Sequence, residues 1–190
     1  MNRTLIVSQF VKHIQNRINL KIVSDESFSI NRVIVNSVLN KPGLALTGYF
    51  KDFNWDSLQL LAATEISFIN DQYSASRTRD IEKMCEFNIP AFIIQGRKKI
   101  DPRFIEQCTS KKIPVYRTPK SFQKVYGEII EYLEDFFAPY TQIHGSLVDV
   151  YGTGLLIMGR SSIGKSEIAL DLVERRSEER RVGKECFVPC

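Results

Sequence analysis

A phosphate-binding loop motif near the carboxyl end of the chain constrains its fold more than any other feature. Residues 159–166 read GRSSIGKS and satisfy the pattern G-x-x-x-x-G-K-[ST]. The apolar run GLLIM precedes the motif, and SEIALDLVER follows it with helical periodicity. Strand, glycine-containing loop and helix in that order form a known phosphate cradle. We therefore predict a nucleotide or phosphate site, against the alternative of a strand–helix turn that binds nothing.

Each fixed position of the motif has a physical role. The glycines let backbone N–H groups approach phosphate oxygens closely, and Lys165 supplies a positive charge to the β- and γ-phosphates. The hydroxyl of Ser166 is a candidate ligand of Mg²⁺. The predicted nucleotide-binding residues are Gly159, Arg160, Ser161, Ser162, Ile163, Gly164, Lys165 and Ser166. The loop alone does not name a reaction, because ATPases, GTPases and small-molecule kinases share it.

Upstream of the loop, apolar runs typical of strands alternate with helix-like segments. Leu5, Phe10, Val11, Ile14 and Ile18 recur at near-helical spacing and predict an opening amphipathic helix. The predicted strands are LKIVS, LALTGYF, EISFI, PAFIIQG and IPVYRT. The predicted helices are WDSLQLLAA, SRTRDIEKMCEF, DPRFIEQCTS (with Asp101 as N-cap and Pro102 at the first helical position) and PKSFQKVYGEIIEYLEDFF. This alternation predicts an α/β fold with a mostly parallel sheet.

The same pattern divides the chain. Residues 1–138 are predicted to form an N-terminal α/β domain that ends near Pro139. The next segment, TQIHGSLVDVYGTGLLIMG, reads as two strands joined at Tyr151–Gly154, which indicates a hairpin leading into the loop. Residues 139–175 are therefore assigned to the beginning of a second, P-loop domain.

Composition narrows the class of protein. Hydrophobic residues make up 43% of the chain and charged residues 25%, which is typical of a soluble globular protein. With no apolar run near the roughly 20 residues of a membrane span and no signal-peptide pattern, we expect a cytoplasmic protein without a membrane partner. The net charge is +4, and the basic residues are scattered apart from GRKK (Gly96–Lys99) and RR pairs near the end. This pattern is read as a solvated surface, so no nucleic-acid partner is expected. Cys85 and Cys108 are predicted to be core thiols, and no metal-binding cysteine spacing is present.

Several motifs together resemble bacterial HPr kinase/phosphorylase. The series IHGSLVDVYGTGLLIMGRSSIGKSEIALDLVER (Ile143–Arg175) shares the family's His-Gly, Asp-Val-Tyr-Gly, phosphate loop and Ser-Glu after the lysine. KPGLALTGYFKDF (Lys41–Phe53) and TEISFI (Thr64–Ile69) are similar to the family's N-terminal domain. The resemblance covers residues 1 to about 175 and implies that the second domain begins a P-loop-containing kinase domain.

The resemblance implies a bifunctional, Mg²⁺-dependent enzyme that works as a homohexamer. Such an enzyme phosphorylates a serine of HPr, the phosphocarrier protein of the sugar phosphotransferase system, from ATP or pyrophosphate. It also removes that phosphate by phosphorolysis, and so acts in the regulation of carbohydrate metabolism.

The resemblance also implies roles for single residues. His144 matches the family's catalytic histidine beside the transferred phosphate, whereas by itself it reads better as a hydrogen-bonded strand histidine. Lys165 is the second predicted catalytic residue. Glu167 matches the acidic residue after the loop, and reads equally well as a first-turn carboxylate favoured by the helix dipole.

The segment after the loop helix departs from the family. The family's next strand ends in two aspartates, which serve as general base and acid and in metal binding; the matching positions here are Val182 and Gly183. RSEERRVGKEC (Arg176–Cys186) matches the conceptual translation of a sequencing-library adapter and offers no apolar strand. We therefore expect a chain truncated after the loop helix, with 176–190 as a non-native tail. Such a fragment is expected to be inactive and loosely held from about residue 140 onward.

Two other functions stay open on the residues alone. The α/β domain could be a non-catalytic interaction or regulatory module whose nucleotide loop is vestigial. An unrelated P-loop ATPase or small-molecule kinase would need a strand ending in Asp after the loop, and the sequence offers none. Nucleotide binding by this chain, and phosphoryl transfer by an extended version, distinguish the enzyme from the module.

Overall fold

The computed structural model describes residues 4–25, 27–28, 32–150, 152–174 and 180–189, and it forms two compact units, Met1–Phe137 and Ala138–Cys190. The first unit contains β1 (Leu5–Ile6), α1 (Val7–Ile18), β2 (Lys21–Ile22), β3 (Val33–Ile34), β4 (Leu39–Asn40), α2 (Gly43–Leu46), β5 (Leu58–Leu61), α3 (Ala63–Ser74), α4 (Arg79–Met84), β6 (Phe92–Gln95), α5 (Pro102–Ser110), β7 (Val115–Thr118) and α6 (Phe122–Phe137). The second contains β8 (Tyr140–Val150), β9 (Thr153–Met158), α7 (Lys165–Glu174) and β10 (Arg180–Pro189).

A five-stranded sheet in the order β2-β7-β6-β5-β4 forms the centre of the first unit. Strands β4 to β7 pair in parallel, and β2 adds an antiparallel edge. A separate antiparallel pair joins β1 to β3. The prediction of an α/β fold with a mostly parallel sheet is confirmed.

Helices cover both faces of this sheet. On one face, helices α1 and α6 pack against sheet residues such as Leu60 and Ile93 to form the first core. On the other face, the four helices from α2 through α5 pack against the next residues along the same strands, Leu61 and Ile94, to form the second core. Successive strand residues belong to opposite cores because side chains alternate across a strand. The second core also contains Cys85 and Cys108, so the prediction of buried thiols is confirmed. Among the described residues, no helix is long and apolar enough to cross a membrane.

Between residues 44 and 69 the predicted helices and strands were wrong. LALTGYF, predicted as a strand, overlaps most of α2 and has no strand. WDSLQLLAA, predicted as a helix, contains β5, and EISFI, predicted as a strand, lies in α3. All four residues of β5 are buried, so this strand carries no alternation that would distinguish it from a buried helix. Its neighbours on both sides are parallel strands, which places helices over both of its faces.

The helix α3 forms from a segment whose residues favour strands. Ile66 and Ile69 stand three positions apart and both are fully buried in the second core. Glu65 stabilises the first turn, because its Oε2 accepts a hydrogen bond from the backbone N–H of Ala62 at 3.0 Å. Tertiary burial and this capping contact therefore outweigh the β-propensity of the isoleucines.

The predicted start of α5 is confirmed. Pro102 is its first residue, and Asp101 Oδ1 accepts from the backbone N–H of Arg103 at 3.0 Å. The Arg103 guanidinium also donates to both carboxylate oxygens. The Arg103 side-chain hydrogen bond is the main cause that lowers the pKa of Asp101 below its ordinary value.

The second unit is a three-stranded antiparallel sheet in the order β10-β8-β9. The predicted hairpin is confirmed in β8 and β9. The sequence offers no apolar strand within 176–190, but the structure has a strand there, since β10 pairs with β8 from Arg180 opposite Asp149 to Pro189 opposite Tyr140. Backbone groups along an open strand edge accept an extended segment whatever its side-chain pattern, which explains why this strand was not predicted.

Candidate functional site

The glycine-containing loop connects β9 to α7, in the order that the sequence predicts. Its backbone takes a φ of 153° at Gly159, 64° at Ser162 and 89° at Gly164. A Cβ at Gly159 would lie 3.2 Å from Ile163 Cγ2, so a larger residue there would crowd the loop. Residues 159–163 are exposed, and the loop therefore presents its backbone to solvent and to any ligand.

The side chain of Lys165 folds back across this loop. Its Nζ donates to the carbonyl oxygens of Gly159 at 2.9 Å and Arg160 at 2.5 Å. Charged phosphate oxygens are stronger acceptors of an ammonium hydrogen than neutral carbonyls are. The same ammonium group can therefore exchange these carbonyls for phosphate oxygens while it stays at the mouth of the loop.

His144 lies where β8 meets the start of the loop. Gly145 pairs with Met158, the last residue of β9, and His144 is the next residue toward the loop. His144 therefore lies one residue beyond the last pair of this ladder, on the side where the loop begins. The imidazole is exposed, so the structure brings a titratable side chain to the edge of the phosphate loop.

Gly145 allows this close approach of the two strands. A Cβ at this position would lie 2.9 Å from the carbonyl oxygen of Ile157 and 2.9 Å from Leu156 Cδ1. Any side chain would push β8 away from β9 and carry His144 away from the loop. In the sequence, Gly145 stands out only as part of the His-Gly motif, and the lack of a side chain directly after a histidine is the signal that could have indicated this role.

The hairpin turn behind the site is fixed by a side chain. Asp149 Oδ1 accepts a hydrogen bond from the backbone N–H of Gly152 at 2.9 Å, and Gly152 has a φ of 79°. Aspartate commonly holds turns in this way, and glycine tolerates the positive φ. These two residues of the Asp-Val-Tyr-Gly motif therefore shape the hairpin; Tyr151, between them, lies outside the described residues.

Ser166 and Glu167 both lie in the first turn of α7 and both are exposed. The first N–H groups of a helix have no partner inside it, so they remain available to an anion at the loop. The hydroxyl of Ser166 is an oxygen of the type that Mg²⁺ accepts. Within the described residues, His, Cys, Asp and Glu form no group of three or more that could hold a metal ion.

All the predicted site residues lie in the second unit. The loop residues and Lys165 meet through the two hydrogen bonds of the ammonium group, and the strand pairing places His144 beside the start of the loop. Glu167 stays near the loop, with Oε2 3.4 Å from where a Cβ on Gly164 would lie.

Comparison with known proteins finds models of one protein family in both units. The family profile described as HPr Serine kinase N terminus matches residues 7–133, and the one described as HPr Serine kinase C-terminal domain matches residues 135–179. The HPr kinase/phosphorylase of Chloroherpeton thalassium is 36% identical over 174 residues, which cover 91% of this chain and 51% of that protein. HPr kinase/phosphorylase 1 of Oceanobacillus iheyensis is 38% identical over 157 residues, which cover 83% and 50%.

A third relative, the HPr kinase/phosphorylase of Chlorobium limicola, is 37% identical over 179 residues and is covered to 53%. The chain thus spans about half the length of the curated relatives it matches. The similarity reaches through the hairpin, the loop and α7, so it includes the candidate site itself.

Proposed function

The chain belongs to the HPr serine kinase family, and from this membership we propose that its activity is phosphoryl transfer from ATP to a serine of HPr, with phosphorolysis of the product. The names of the relatives, HPr kinase/phosphorylase, support both directions. A cytoplasmic homohexamer that uses ATP or pyrophosphate with Mg²⁺ is part of the proposal. The observation that carries it is the loop between β9 and α7, with His144 on the adjoining strand β8.

Each residue of the site has a role in this proposal. Backbone N–H groups of Gly159–Ser166 hold the phosphate chain, and Lys165 exchanges its two carbonyl acceptors for phosphate oxygens. Ser166 fits as a ligand of Mg²⁺, which when bound neutralises charge on the phosphate oxygens. His144, exposed beside the start of the loop, contacts the phosphate being transferred.

The test is HPr phosphorylation by a fusion of residues 1–175 to the C-terminal half of the Chloroherpeton thalassium relative, with ATP and Mg²⁺. We expect activity in the fusion, and a loss of roughly 10²–10³ in kcat with Lys165→Ala, as for removal of one charge-stabilising donor. Lys51→Ala, an exposed lysine in the first unit, is the matched control and should leave the rate unchanged.

The chain of 190 residues is assayed beside the fusion. We expect little or no transfer from it, because Val182 and Gly183 stand where the family has its aspartates. Transfer by the short chain would contradict the assigned need for those aspartates. An inactive fusion that still binds ATP would instead favour the interaction module with a vestigial loop.

A further inference from the structure

A basic cavity lies in the first unit, beside β2 and the carboxyl ends of β6 and β7. Its volume is about 520 Å³, within the range of ordinary small-molecule sites. Gly96, Arg97 and Lys99 reach it from the segment after β6, and Lys21 from β2. The carboxyl ends of parallel strands are a common place for ligands in α/β proteins.

The cavity lining carries four cationic side chains and no carboxylate. The cations belong to Lys21, Arg97, Lys99 and Arg117. None of the four takes part in the ion pairs that the described residues form. Four cations without a counter-charge in one cavity repel one another, and a bound anion would relieve that repulsion.

Arg117 is held in place by the protein backbone. Its Nη1 donates to the carbonyl oxygens of Lys98 at 2.8 Å and Gly96 at 3.3 Å, and the residue is half-buried. Burial lowers the pKa of Arg117, which shows the cost of holding this charge without an anionic partner. A guanidinium fixed in this way is preorganised, so little freedom is lost when its remaining N–H groups bind an anion.

Apolar side chains extend the cavity beyond its cations. Ile22, Val23 and Pro119 complete the lining. A second cavity of about 660 Å³ shares Val23 and Arg117 with the first, and Ile100 and Ile105 line it together with the carboxylate of Glu106. The apolar part that suits the ring of a ligand is therefore Ile22, Val23 and Pro119 of the first cavity, while Glu106 opposes an anion in the second.

One feature of the cavity opposes an anion. Asn19, which follows α1, contributes to the lining, and the carboxyl end of a helix carries partial negative charge. Two of the last carbonyls are occupied, since Gln15 accepts from the Leu20 N–H at 2.9 Å and Ile18 accepts from Thr118 Oγ1 at 2.5 Å. Four full positive charges outweigh the roughly half charge of a helix end.

We propose that this cavity binds a small organic phosphate, with the phosphate on Lys21, Arg97, Lys99 and Arg117 and an apolar or ring portion on Ile22 and Val23. A phosphate carries more charge than one carboxylate and accepts several donors, as four cations require. The site lies in the first unit and uses none of the residues of the phosphate loop.

The test is amide NMR of the 190-residue chain, titrated in separate samples with pyrophosphate and with ATP in the absence of Mg²⁺. We expect saturable shifts of the amides of Lys21, Val23, Gly96 and Lys99, with tighter binding of ATP because of its ring. Shifts of the loop amides, residues 159–166, report the other site separately. If ATP shifts the cavity amides but not the amides of residues 159–166, the result contradicts the proposed kinase function and still supports ligand binding in the cavity.

A charge-matched pair of variants completes the test. The triple variant Lys21→Gln, Arg97→Gln, Lys99→Gln should weaken binding at least about tenfold, since one charge-assisted contact is worth a factor of that order. Lys51→Gln, Lys83→Gln, Lys111→Gln removes the same charge from exposed positions outside the cavity lining and should leave the affinity unchanged. Equal weakening by both triples, or no shift at the cavity amides with either probe, would overturn the proposal.

Discussion

The two units bury their apolar residues very differently. In the first unit, helices cover both faces of the sheet, and fully buried side chains such as Leu60 and Ile93 fill both cores. In the second, the described side chains contribute only Val148 and Ala169 to the buried apolar set. Ile168 and Leu170 of α7 are more than half exposed, at 52% and 53%.

This difference means that the unit that contributes most of the folding free energy is not the unit that carries the predicted catalytic residues. Burial of apolar area is the main source of folding free energy, so the first unit holds most of it. Both predicted catalytic residues lie in the second unit, His144 within strand β8 and Lys165 at the first residue of α7. Sites that must admit and release a ligand are often drawn from the less stable parts of a protein.

The most direct test of this difference in burial is the same substitution, isoleucine to alanine, made once in each unit. Ile93→Ala removes a fully buried side chain from β6 and should lower the free energy of unfolding by about 2–5 kcal/mol. Ile168→Ala removes the same atoms from a side chain that is 52% exposed in α7, and should cost about 0.5 kcal/mol or less. Urea denaturation measures both, and equal costs would contradict the assignment of stability to the first unit.

Limited proteolysis tests the same difference without a mutation. Trypsin should cut after Arg160 or Lys165 on the order of 100-fold faster than at any site within residues 4–137, because cleavage follows the free energy of local opening. Mass spectrometry of the first fragments gives the order of cuts. Protection of residues 152–172 at times when the first unit is already cleaved would reverse the comparison.

Two glycines of the second unit allow a sharper test within that unit. Gly145→Ala places a Cβ 2.9 Å from Ile157 O and should cost about 1–3 kcal/mol by forcing β8 from β9. Gly154→Ala is the matched control, since its nearest contact would be an ordinary 3.7 Å to Leu147 Cδ1. Hydrogen exchange of the β9 amides should accelerate only in the first variant. Unchanged exchange of the β9 amides in Gly145→Ala would contradict the role given to Gly145 in the close pairing of the two strands.

The N-cap of α5 gives a smaller effect in the first unit. Asp101→Ala should cost about 1 kcal/mol at pH 7, because the Arg103 N–H loses its acceptor. Asp101→Asn keeps a capping oxygen and removes only the charge, so it should cost a few tenths of a kcal/mol. Thermal unfolding of the two variants separates the cap from the charge, and equal losses would mean that the ion pair dominates.

The contribution of the Asp101 carboxylate to folding stability should change with pH in one direction. The hydrogen bond from Arg103 lowers the pKa of Asp101 in the folded chain, so the charged form stabilises the fold above the ordinary value of 3.8. That contribution is lost as the pH falls through the lowered folded pKa. The stability difference between the parent chain and Asp101→Asn should therefore be constant near neutral pH and shrink in acid. A difference that grows in acid would contradict the lowered pKa.

Local sequence signals predicted the elements that depend on local contacts. The cap and first residue of α5, the opening helix α1 and the hairpin of β8 and β9 follow from Asp101 with Pro102, from helical spacing and from two apolar runs at a turn. The strand–loop–helix order around residues 159–166 was also readable, because the motif fixes residue types at each position.

Elements that depend on distant partners were not predicted. The segment of β5 was predicted as a helix and that of α3 as a strand. The reasons are that β5 is buried on both faces and that α3 is stabilised by packing in the second core. The strand β10 exists only through pairing with β8, to which its own residues give no clue. The basic cavity was missed because the GRKK run that holds Arg97 and Lys99 was read as solvated surface, and Lys21 and Arg117 lie far from it in the sequence.

The sequence by itself determined the fold class, the phosphate loop and the family, since each rests on residue types at fixed spacing along the chain. Only the tertiary structure decided which runs became strands, that the residue after His144 pairs with the last residue of β9 and which four cations share a cavity. The physical reason is that burial and charge depend on neighbours in space, and in a parallel sheet those neighbours come from separate crossovers of the chain.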